Sequence, residues 1–331
     1  GDNGNQSVPE DMWYFDESGT TEGVFTISQE DNGGTNGQDQ WMKILCTTEE
    51  ALGATTDMIF VSQKVEGFNA TRLLDGSSGI AETTVSADII IHADGSSGLS
   101  FPVKVAFSIH TWDGTGRQCV GDVSIAANDT WERVSVTFPS DSTATFDSNN
   151  AAAGHLTVSI CGGSGRQATN LTWANDTNDY LTSATDNIAD QANNYLGITN
   201  VQWEVGAVPT SYAHEDIATT LQKCQRYFWR ATDGSTNNVV GTGVIATTTI
   251  ASILCTYPVP MRTIPTQTDT TPTQFYIYDN SGAHYASAVA TTGYQNEYGM
   301  MMNFTTSSVV VGNGAVAVNV GAAILDFSAE L

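Results

Sequence analysis

The sequence predicts an all-β protein made of a jelly-roll β-sandwich, one short junction helix and a second, smaller C-terminal β domain. Three observations lead to this fold class. Many short apolar stretches alternate with polar residues at the period of a half-buried strand, as at Val201, Trp203 and Val205. Loops rich in Gly, Asn, Asp, Ser and Thr separate these stretches. Apolar residues at helical spacing stand out in one region, residues 214–229.

Length and pattern divide the chain into four parts. With 331 residues, 40% of them hydrophobic, the chain is long enough for two domains that each bury a core. The predicted parts are an N-terminal docking segment at 1–22, the sandwich at 23–213, the junction helix at 214–229 and the C-terminal β domain at 230–331.

The N-terminal segment is polar and glycine-rich except for one aromatic run that includes Trp13, Tyr14 and Phe15. Such a composition cannot bury enough apolar surface to form a core alone. We therefore expect residues 1–22 to dock on a neighbouring protein.

The sandwich region contains many short strand candidates and no helical pattern. The candidates are residues 24–28, 41–46, 58–65, 85–92, 103–112, 131–138, 155–161 and 198–205. Short strands joined by long polar loops are typical of two packed antiparallel sheets. A jelly roll is the predicted version of this architecture.

The junction helix is predicted from apolar residues that share one face. Gly206 and Pro209 end the preceding strand, and acidic residues then open the helix while basic residues close it, as the helix dipole favours. The apolar face consists of Ile217, Leu221, Cys224 and Phe228, and the charged ends of Glu215, Asp216, Lys223 and Arg226. Because Arg226 stands beside Tyr227, we assign it to an ion pair or a stacking contact rather than to ligand binding.

The C-terminal region again consists of strand patterns. They lie at residues 239–261, 274–279, 284–292, 297–312 and 315–331. The segments 308–312 and 315–320 are strongly β-prone and uncharged, and exposed strand edges of that kind promote aggregation. We therefore expect partner subunits to cover them.

Charge and cysteine content exclude several classes of function. The chain has 11 basic and 36 acidic residues, a net charge of −25, so phosphate backbones and anionic lipids repel it and no nucleic-acid partner is expected. No stretch reaches the roughly 20 apolar residues of a membrane helix, so membrane insertion is not expected. Five cysteines without a CxxC pair predict buried free thiols, which fit assembly in a reducing cytoplasm.

Motifs for catalysis are absent from the sequence. It contains no HExxH, GxSxG or nucleotide-binding loop, and its five histidines are scattered. Its acidic residues offer too many candidates to single out a pair for glycan hydrolysis, and we interpret them as solvated loop acids. The sequence therefore predicts that the protein is not an enzyme.

One acidic region is a candidate for a structural Ca²⁺ site, because that ion takes hard oxygen ligands. Its residues are Asp176, Asp179, Asp186 and Asp190. No complete EF-hand spacing is present, and ordinary loop acids are the alternative. No other cofactor is predicted.

Three groups combine aromatic side chains with hydrogen-bonding neighbours, as glycan recognition requires. They are Trp112, Asp113 and Arg117; Trp173, Asn175, Asp176 and Tyr180; and the loop of Tyr294, Asn296, Glu297 and Tyr298. Because Trp112 ends an apolar strand and Trp173 follows one, the alternative is that both rings cap the core. For the tyrosine pair the alternative is a simple turn.

Residues 200–228 resemble a strand, turn and helix found in bacteriophage tail-fibre and related virion fibre proteins. Trp203 stands where that family often has Leu. The matching positions are Gln202, Glu204, Gly206, Thr210, Tyr212, His214, Leu221 and the run CQRYF at 224–228. Residues 127–141, 257–266 and 326–331 are similar to further pieces of such proteins, and the pattern around Trp131 is also similar to that of carbohydrate-binding modules.

This resemblance implies a virion surface protein that attaches to a host, made in the host cytoplasm and assembled as a homotrimer. Its expected partners are its own copies, other virion proteins through the N-terminal segment, and a host surface glycan. Since the chain begins at Gly1, a leader, a longer fibre shaft or a cloning boundary is expected upstream. The alternatives are a purely structural head fibre or capsid decoration, and a glycan-degrading tailspike, which normally shows a solenoid repeat.

Overall fold

The computed structural model describes residues 6–7, 13–19, 23–31, 40–76, 79–235 and 237–330. It consists of two compact units that divide between His214 and Glu215. Both units are built from antiparallel sheets, so the predicted all-β fold class is confirmed. Among the described residues, no helix is both long enough and apolar enough to span a bilayer.

The first unit is a jelly-roll sandwich of two sheets. Its elements are β1 (Gln6–Ser7), β2 (Trp13–Ser18), β3 (Val24–Asp31), β4 (Gln40–Thr48), β5 (Met58–Glu66), α1 (Gly67–Ala70), β6 (Thr83–His92), β7 (Val103–Thr111), β8 (Arg117–Ile125), β9 (Glu132–Phe138), β10 (Ala152–Gly162), β11 (Ala174–Asn175) and β12 (Tyr195–Val205), with 3₁₀ turns at Thr71–Leu73 and Ser164–Arg166. One sheet has the order β1-β2-β5-β10-β7-β8-β11 and the other the order β3-β4-β12-β6-β9. The chain passes repeatedly between the sheets, so strands distant in sequence become neighbours.

The core of the sandwich lies between the two sheets. Successive residues of a strand point to opposite faces, and the inward set is almost entirely apolar, with Phe107, Ile89 and Val158 fully buried. Four of the five cysteines, Cys46, Cys119, Cys161 and Cys255, are buried free thiols. Burial raises the pKa of Cys119 to about 12, which keeps that thiol protonated.

The aromatic run near the N-terminus belongs to this core. Strand β2 pairs with β5, and Trp13 and Phe15 are each only 8% exposed. The ring centroid of Phe15 lies 5.4 Å from that of Phe25. A separate docking segment over residues 1–22 is therefore wrong for 13–18, because alternate aromatic residues of β2 face the core. Residues 1–5, 8–12 and 20–22 lie outside the described part of the chain.

The long segment 163–194, which is irregular apart from one 3₁₀ turn and β11, packs on the outer face of the seven-stranded sheet. Tyr180 stacks on Phe60 with centroids 4.3 Å apart, and Leu181 packs on the sheet beside it. The segment is also held by side-chain hydrogen bonds: Thr182 and Thr185 each donate to Asp122, at 2.5 and 2.8 Å. The outer face of this sheet is therefore largely shielded from solvent, and it holds polar as well as apolar side chains.

His155 lies within this covered layer. Its ring contacts His110 and Trp112 at centroid distances of 4.6 and 4.9 Å, and only 7% of the residue is exposed. Burial, with smaller effects of His110 and Lys64, lowers the pKa of His155 well below its usual value. The imidazole is therefore neutral in the folded protein at neutral pH.

The second unit contains a three-stranded and a seven-stranded sheet. Its elements are α2 (Ile217–Gln225), β13 (Phe228–Asp233), β14 (Val239–Thr247), β15 (Ile250–Thr256), β16 (Thr266–Asp269), β17 (Phe275–Asp279), β18 (Gly282–Tyr285), β19 (Ala288–Asn296), β20 (Gly299–Thr305), β21 (Gly314–Asn319) and β22 (Ile324–Ser328), with a 3₁₀ turn at Pro272–Gln274. The sheet orders are β13-β22-β16 and β18-β17-β21-β14-β15-β20-β19. Phe275, Phe304 and Phe327 are fully buried in its core.

Helix α2 is shorter than the predicted 214–229. It begins after Asp216, whose Oδ1 accepts a 2.8 Å hydrogen bond from the Ala218 amide, a typical N-cap. It ends because strand pairing takes over: the Tyr227 carbonyl accepts from the Ala329 amide, and Phe228 starts β13. Phe228 is therefore a strand residue rather than part of the helix face.

The predicted apolar face of α2 is open in the described chain. Ile217 is 78% exposed and Leu221 54% exposed, whereas Cys224 is half-buried. Arg226 is half-buried, and its carbonyl accepts a 2.8 Å hydrogen bond from the Arg262 amide. The helix therefore contributes no buried residue to the unit.

The uncharged C-terminal segments are not sheet edges, contrary to the sequence prediction. Strand β21, which holds most of 315–320, lies between β17 and β14 in the sheet interior. The segment 308–312 lies outside the strands and ends in a turn at 311–312, with Val310 and Val311 about half exposed. Long-range pairing with β14 and β17 satisfies the backbone of β21, so no partner subunit is needed there.

We expect Phe15→Ala to destabilise the sandwich by about 3 kcal/mol, because it removes a buried ring from the core. Urea unfolding followed by fluorescence measures the loss. The control is Phe68→Ala, at a 51% exposed position, which should change stability by no more than about 0.5 kcal/mol. If the two variants were equally stable, residues 13–18 would not be part of the sandwich core, and the prediction of a separate N-terminal segment would stand.

We expect the sandwich to lose stability as the pH falls from about 6.5 to 5. The pKa of His155 is lowered in the folded state, so the unfolded chain takes up a proton in this window that the folded chain does not. Urea unfolding at several pH values should give a slope that His155→Gln reduces by up to about 1.4 kcal/mol per pH unit. His214→Gln, at an exposed position, should leave the slope unchanged; an unchanged slope in His155→Gln would contradict the prediction.

Candidate functional site

Trp112 is the exposed aromatic residue of the first predicted group. It follows β7, its amide donates a 2.7 Å hydrogen bond to the Ala153 carbonyl, and 39% of the residue is exposed. Asp113 Oδ2 accepts from the Asp147 amide at 2.7 Å, which joins two loops beside the indole. One side of the Trp112 ring thus contacts the buried His155, and the rest of the ring is exposed to solvent at the end of strand β7. We call this end of the sheet the rim surface.

Arg117 is held in place by two partners. Its Nη2 donates to Asp141 Oδ2 at 2.6 Å and its Nη1 to Asn175 Oδ1 at 3.1 Å. Burial raises the pKa of Asp141, but hydrogen bonds from Arg117 and the amides of Ala144 and Thr143 outweigh this effect and lower it. Arg117 therefore serves mainly as a structural ion pair.

The structure brings the first two predicted groups together. Strand β11 pairs with β8 so that Asn175 stands opposite Arg117. The Asp176 amide donates to the Gly116 carbonyl at 2.9 Å. Trp112 and the exposed Asn175 therefore belong to one rim surface, although they are far apart in sequence.

Other members of these groups are structural. Trp173 Nε1 donates a 2.6 Å hydrogen bond to the Pro139 carbonyl, and its ring packs against the core. Tyr180 is only 5% exposed, between Phe60 and His110. Asp176 Oδ2 lies 3.1 Å from His110 Nδ1. The prediction that Tyr180 stacks on a glycan is therefore wrong, because its ring is buried between Phe60 and His110, whereas Trp173 is half-buried with its indole N–H already bonded.

The four acids of the predicted Ca²⁺ site do not form a site. Asp179 accepts from Gln118, Asp186 from the Lys104 amide, and Asp190 from Ser97, Gly98 and Asn194. In the described part of the chain, no group of three or more acidic, His or Cys side chains is placed to hold a metal ion. The prediction is corrected because each carboxylate serves a different part of the loop.

The third predicted group forms a groove in the second unit. Tyr294 is 75% exposed and Tyr298 67% exposed, and both line a groove of about 540 Å³. The other lining residues are Leu254, Thr256, Gly293, Gln295, Asn296, Gly299, Met300 and Met301. None of them carries a charge. We call this feature the tyrosine groove.

The turn that carries the two tyrosines is well defined by hydrogen bonds. Asn296 Oδ1 accepts from the amides of Tyr298 at 2.8 Å and Gly299 at 3.2 Å. The Tyr257 amide donates to the Tyr298 carbonyl at 3.0 Å, which ties the turn to the end of β15. The backbone that presents Tyr298 is therefore positioned by the fold before any ligand arrives.

A β-bulge positions Tyr294. The pairing of β19 with β20 shifts between Thr291 and Gln295, so extra residues of β19 stand opposite Met301. Gly293 adopts a φ of +82° within the bulge, a value that favours glycine. Thr292 Oγ1 donates to the Met301 carbonyl at 2.8 Å and anchors this irregular segment.

The arrangement of the groove suits a neutral, hydroxylated ligand. Exposed tyrosine rings offer faces for stacking, and Gln295, Thr256 and the two phenolic hydroxyls offer donors and acceptors. The sequence located the two tyrosines but not Leu254, Thr256 or Met301. Those residues come from β15 and β20, whose register with β19 no local pattern reveals.

No protein-family model matches this chain, and no curated protein sequence is significantly similar to it. Three solved structures are partly similar, each with a TM-score of 0.32. The first contains the N-terminal CBM22-1–GH10 modules of the Clostridium thermocellum endo-1,4-β-D-xylanase 10B with xylohexaose, at 14% identity over 63% of this chain. The second is the enzymatically active domain of tailspike protein 4 from bacteriophage CBA120, at 11% identity over 58% of this chain.

The third is the CBM22-2 xylan-binding domain of Paenibacillus barcinonensis Xyn10C, at 9% identity over 60% of this chain and 94% of that domain. The similarity spans only 29% of the xylanase chain and 19% of the tailspike chain. The chain is thus partly similar to carbohydrate-binding modules and to a phage tailspike domain.

Proposed function

We propose that this protein is a virion surface fibre that attaches a phage to its host by binding a neutral surface glycan. The observation that carries the binding part is the tyrosine groove, where Tyr294 and Tyr298 are exposed on a hydrogen-bonded turn. The fibre part rests on the sequence resemblance of residues 200–228 to tail-fibre proteins. A virion surface location, synthesis in the host cytoplasm and contact with other virion proteins follow from the same resemblance.

The chemistry of the groove favours a neutral sugar over other ligands. A protein with a net charge of −25 repels acidic glycans, and no cation lines the groove to offset that repulsion. A purely apolar ligand would leave Gln295 and the phenolic hydroxyls without partners. A pyranose ring has both apolar C–H faces and hydroxyl edges, so it can use the rings and the polar groups together.

The rim surface of the sandwich is a second contact of the same kind. Trp112 presents part of its indole to solvent, and the exposed Asn175 lies nearby through its hydrogen bond with Arg117. The Trp112 indole is the most exposed large ring of the two original groups, since Trp173 is half-buried and Tyr180 is buried. We assign it a supporting role in attachment.

The proposed activity is binding without turnover. Glycoside hydrolysis normally requires two carboxyl groups on either side of the scissile bond. The residues that line the tyrosine groove include neither Asp nor Glu. A ligand held there would therefore stay intact.

Self-association as a homotrimer is part of the proposal. Ile217 and Leu221 expose an apolar helix face, and charge repulsion between copies of so acidic a chain makes uncharged surfaces the preferred contacts. With 308–320 not forming an edge, helix α2 carries this part of the argument.

We expect Tyr294→Ala with Tyr298→Ala to weaken binding of a neutral host glycan at least tenfold, about 1.4 kcal/mol, because both stacking faces are lost. Glycan-array screening followed by calorimetry measures the change. Tyr285→Ala is the matched control, since it removes a 63% exposed ring from the same unit outside the groove. Equal affinity of the double variant and wild type would exclude the groove, and shortened glycan after incubation would contradict binding without turnover.

We expect light scattering to give the mass of three chains for the wild-type protein and a smaller mass for Ile217→Asp with Leu221→Asp. The added carboxylates would have to be buried without partners in the interface. Val208→Asp is the control, because it places a charge at another exposed apolar position, 76% exposed, in the first unit. A monomeric wild-type chain would overturn the trimer, and a variant that stays trimeric would remove α2 from the interface.

A further inference from the structure

Four rings lie together on the outer face of the five-stranded sheet of the sandwich. Trp41 is on β4, Tyr195 on β12 and His92 on β6, and Trp131 immediately precedes β9. Inward neighbours such as Ile44 and Leu196 are buried in the core, so strand alternation turns these rings outward. All four are half-buried. We call this feature the tryptophan platform.

The rings form one continuous patch. Centroids of Trp41 and Trp131 lie 5.4 Å apart with planes at 85°, and those of Trp41 and Tyr195 lie 6.0 Å apart. Tyr195 and His92 stand opposite each other in the β12–β6 pair and stack at 5.0 Å with an interplanar angle of 11°. The patch therefore crosses three neighbouring strands, from β4 to β6.

Gly197 allows Trp41 to lie close to the sheet. A Cβ atom at this position would be 2.6 Å from a ring carbon of Trp41 and 2.5 Å from a methyl carbon of Ile90, closer than real side chains approach. A residue with a side chain would therefore displace the indole. The absence of a side chain at Gly197 therefore makes room for Trp41 beside Tyr195 and Trp131.

Polar groups of both signs border the rings. Asp129 Oδ1 lies 2.7 Å from His92 Nδ1, and 51% of the aspartate side chain is exposed. Lys43 Nζ lies 4.6 Å from the centre of the Tyr195 ring. Asn128 Oδ1 accepts a 2.8 Å hydrogen bond from the Ala93 amide, which fixes the loop that carries Asp129. Desolvation and Asp129 raise the pKa of Tyr195, so its phenol stays a donor.

We propose that the tryptophan platform is a further carbohydrate-binding site, for a neutral pyranose that lies over Trp131 and hydrogen-bonds to Asp129 and Lys43, while the Tyr195 ring, with His92 stacked on it and Lys43 over it, forms one wall of the site. The mixture of rings with one exposed acid and one base fits hydroxyl groups, which both donate and accept. An apolar protein segment would leave the partly exposed carboxylate of Asp129 desolvated, at a cost that a sugar hydroxyl removes. Acidic sugars are disfavoured by the net charge of the chain.

This site is separate from the tyrosine groove, and the test keeps the two apart. The full chain is labelled with ¹⁵N-tryptophan, so each of the seven indoles gives one N–H resonance, and Trp131→Phe and Trp41→Phe assign two of them. The probes are neutral hexasaccharides of glucose, xylose, mannose and galactose. We expect at least one of them to shift the resonances of Trp41 and Trp131, and to do so equally in the double variant Tyr294→Ala, Tyr298→Ala.

Affinity measurements complete the test. Trp131→Ala should weaken binding of that hexasaccharide to the platform at least tenfold, while Trp131→Phe, which keeps a ring, weakens it less. Phe68→Ala is the matched control, because it removes an exposed ring from the same unit and should leave the affinity unchanged. Thermal unfolding checks that each variant is folded.

Two outcomes would overturn the proposed platform site and leave the tyrosine groove as the site: hexasaccharides that bind without shifting the two resonances, or a folded Trp131→Ala variant with wild-type affinity. Loss of binding in the tyrosine variant alone would support the groove only, and no binding by any of the four would overturn both sites.

Discussion

The packed core between the two sheets of the sandwich is the constraint on which the rest of the first unit depends. Side chains alternate along each strand, so a slip of one residue would turn the whole apolar set toward solvent. Burial of residues such as Ile89 and Phe107 therefore sets the register of β6 and β7. Once that register is set, the alternate residues of each strand must point away from the core, and His92 and His110 are among them.

The two outer faces created in this way have different environments. The seven-stranded sheet is covered by the segment 163–194, whose Tyr180 and Leu181 pack on it and whose Thr182 and Thr185 donate to the outward Asp122. The neutral His155 is part of this layer, which makes the layer sensitive to acid. The five-stranded sheet instead keeps aromatic rings half-exposed, with Asp129 and Lys43 beside them. Its accessible rings make it the better face for a ligand.

In the second unit, an irregular strand and the turn after it expose the aromatic side chains. Its sheet is regular where β14, β15 and β21 pair in the interior, and irregular at β19, where a bulge and Gly293 move Tyr294 out of the ladder. Asn296 then satisfies two amides of the following turn. Such irregular but hydrogen-bonded edges can present side chains without weakening the core beneath them.

The amino-acid sequence by itself determined the all-β class, the presence of the junction helix and the grouping of Tyr294 with Tyr298 in one loop, because these depend on local periodicity and neighbouring residues. Only the tertiary structure decided which rings are accessible. Tyr180 looks like a ligand-binding residue in sequence but is buried between protein rings. The rings of Trp41, Trp131 and Tyr195 instead come together from segments more than 50 residues apart. The same holds for residues 315–320, a hazardous edge by composition and an interior strand in the sheet. Burial and strand order depend on which distant segments pair, and local pattern carries no information about that choice.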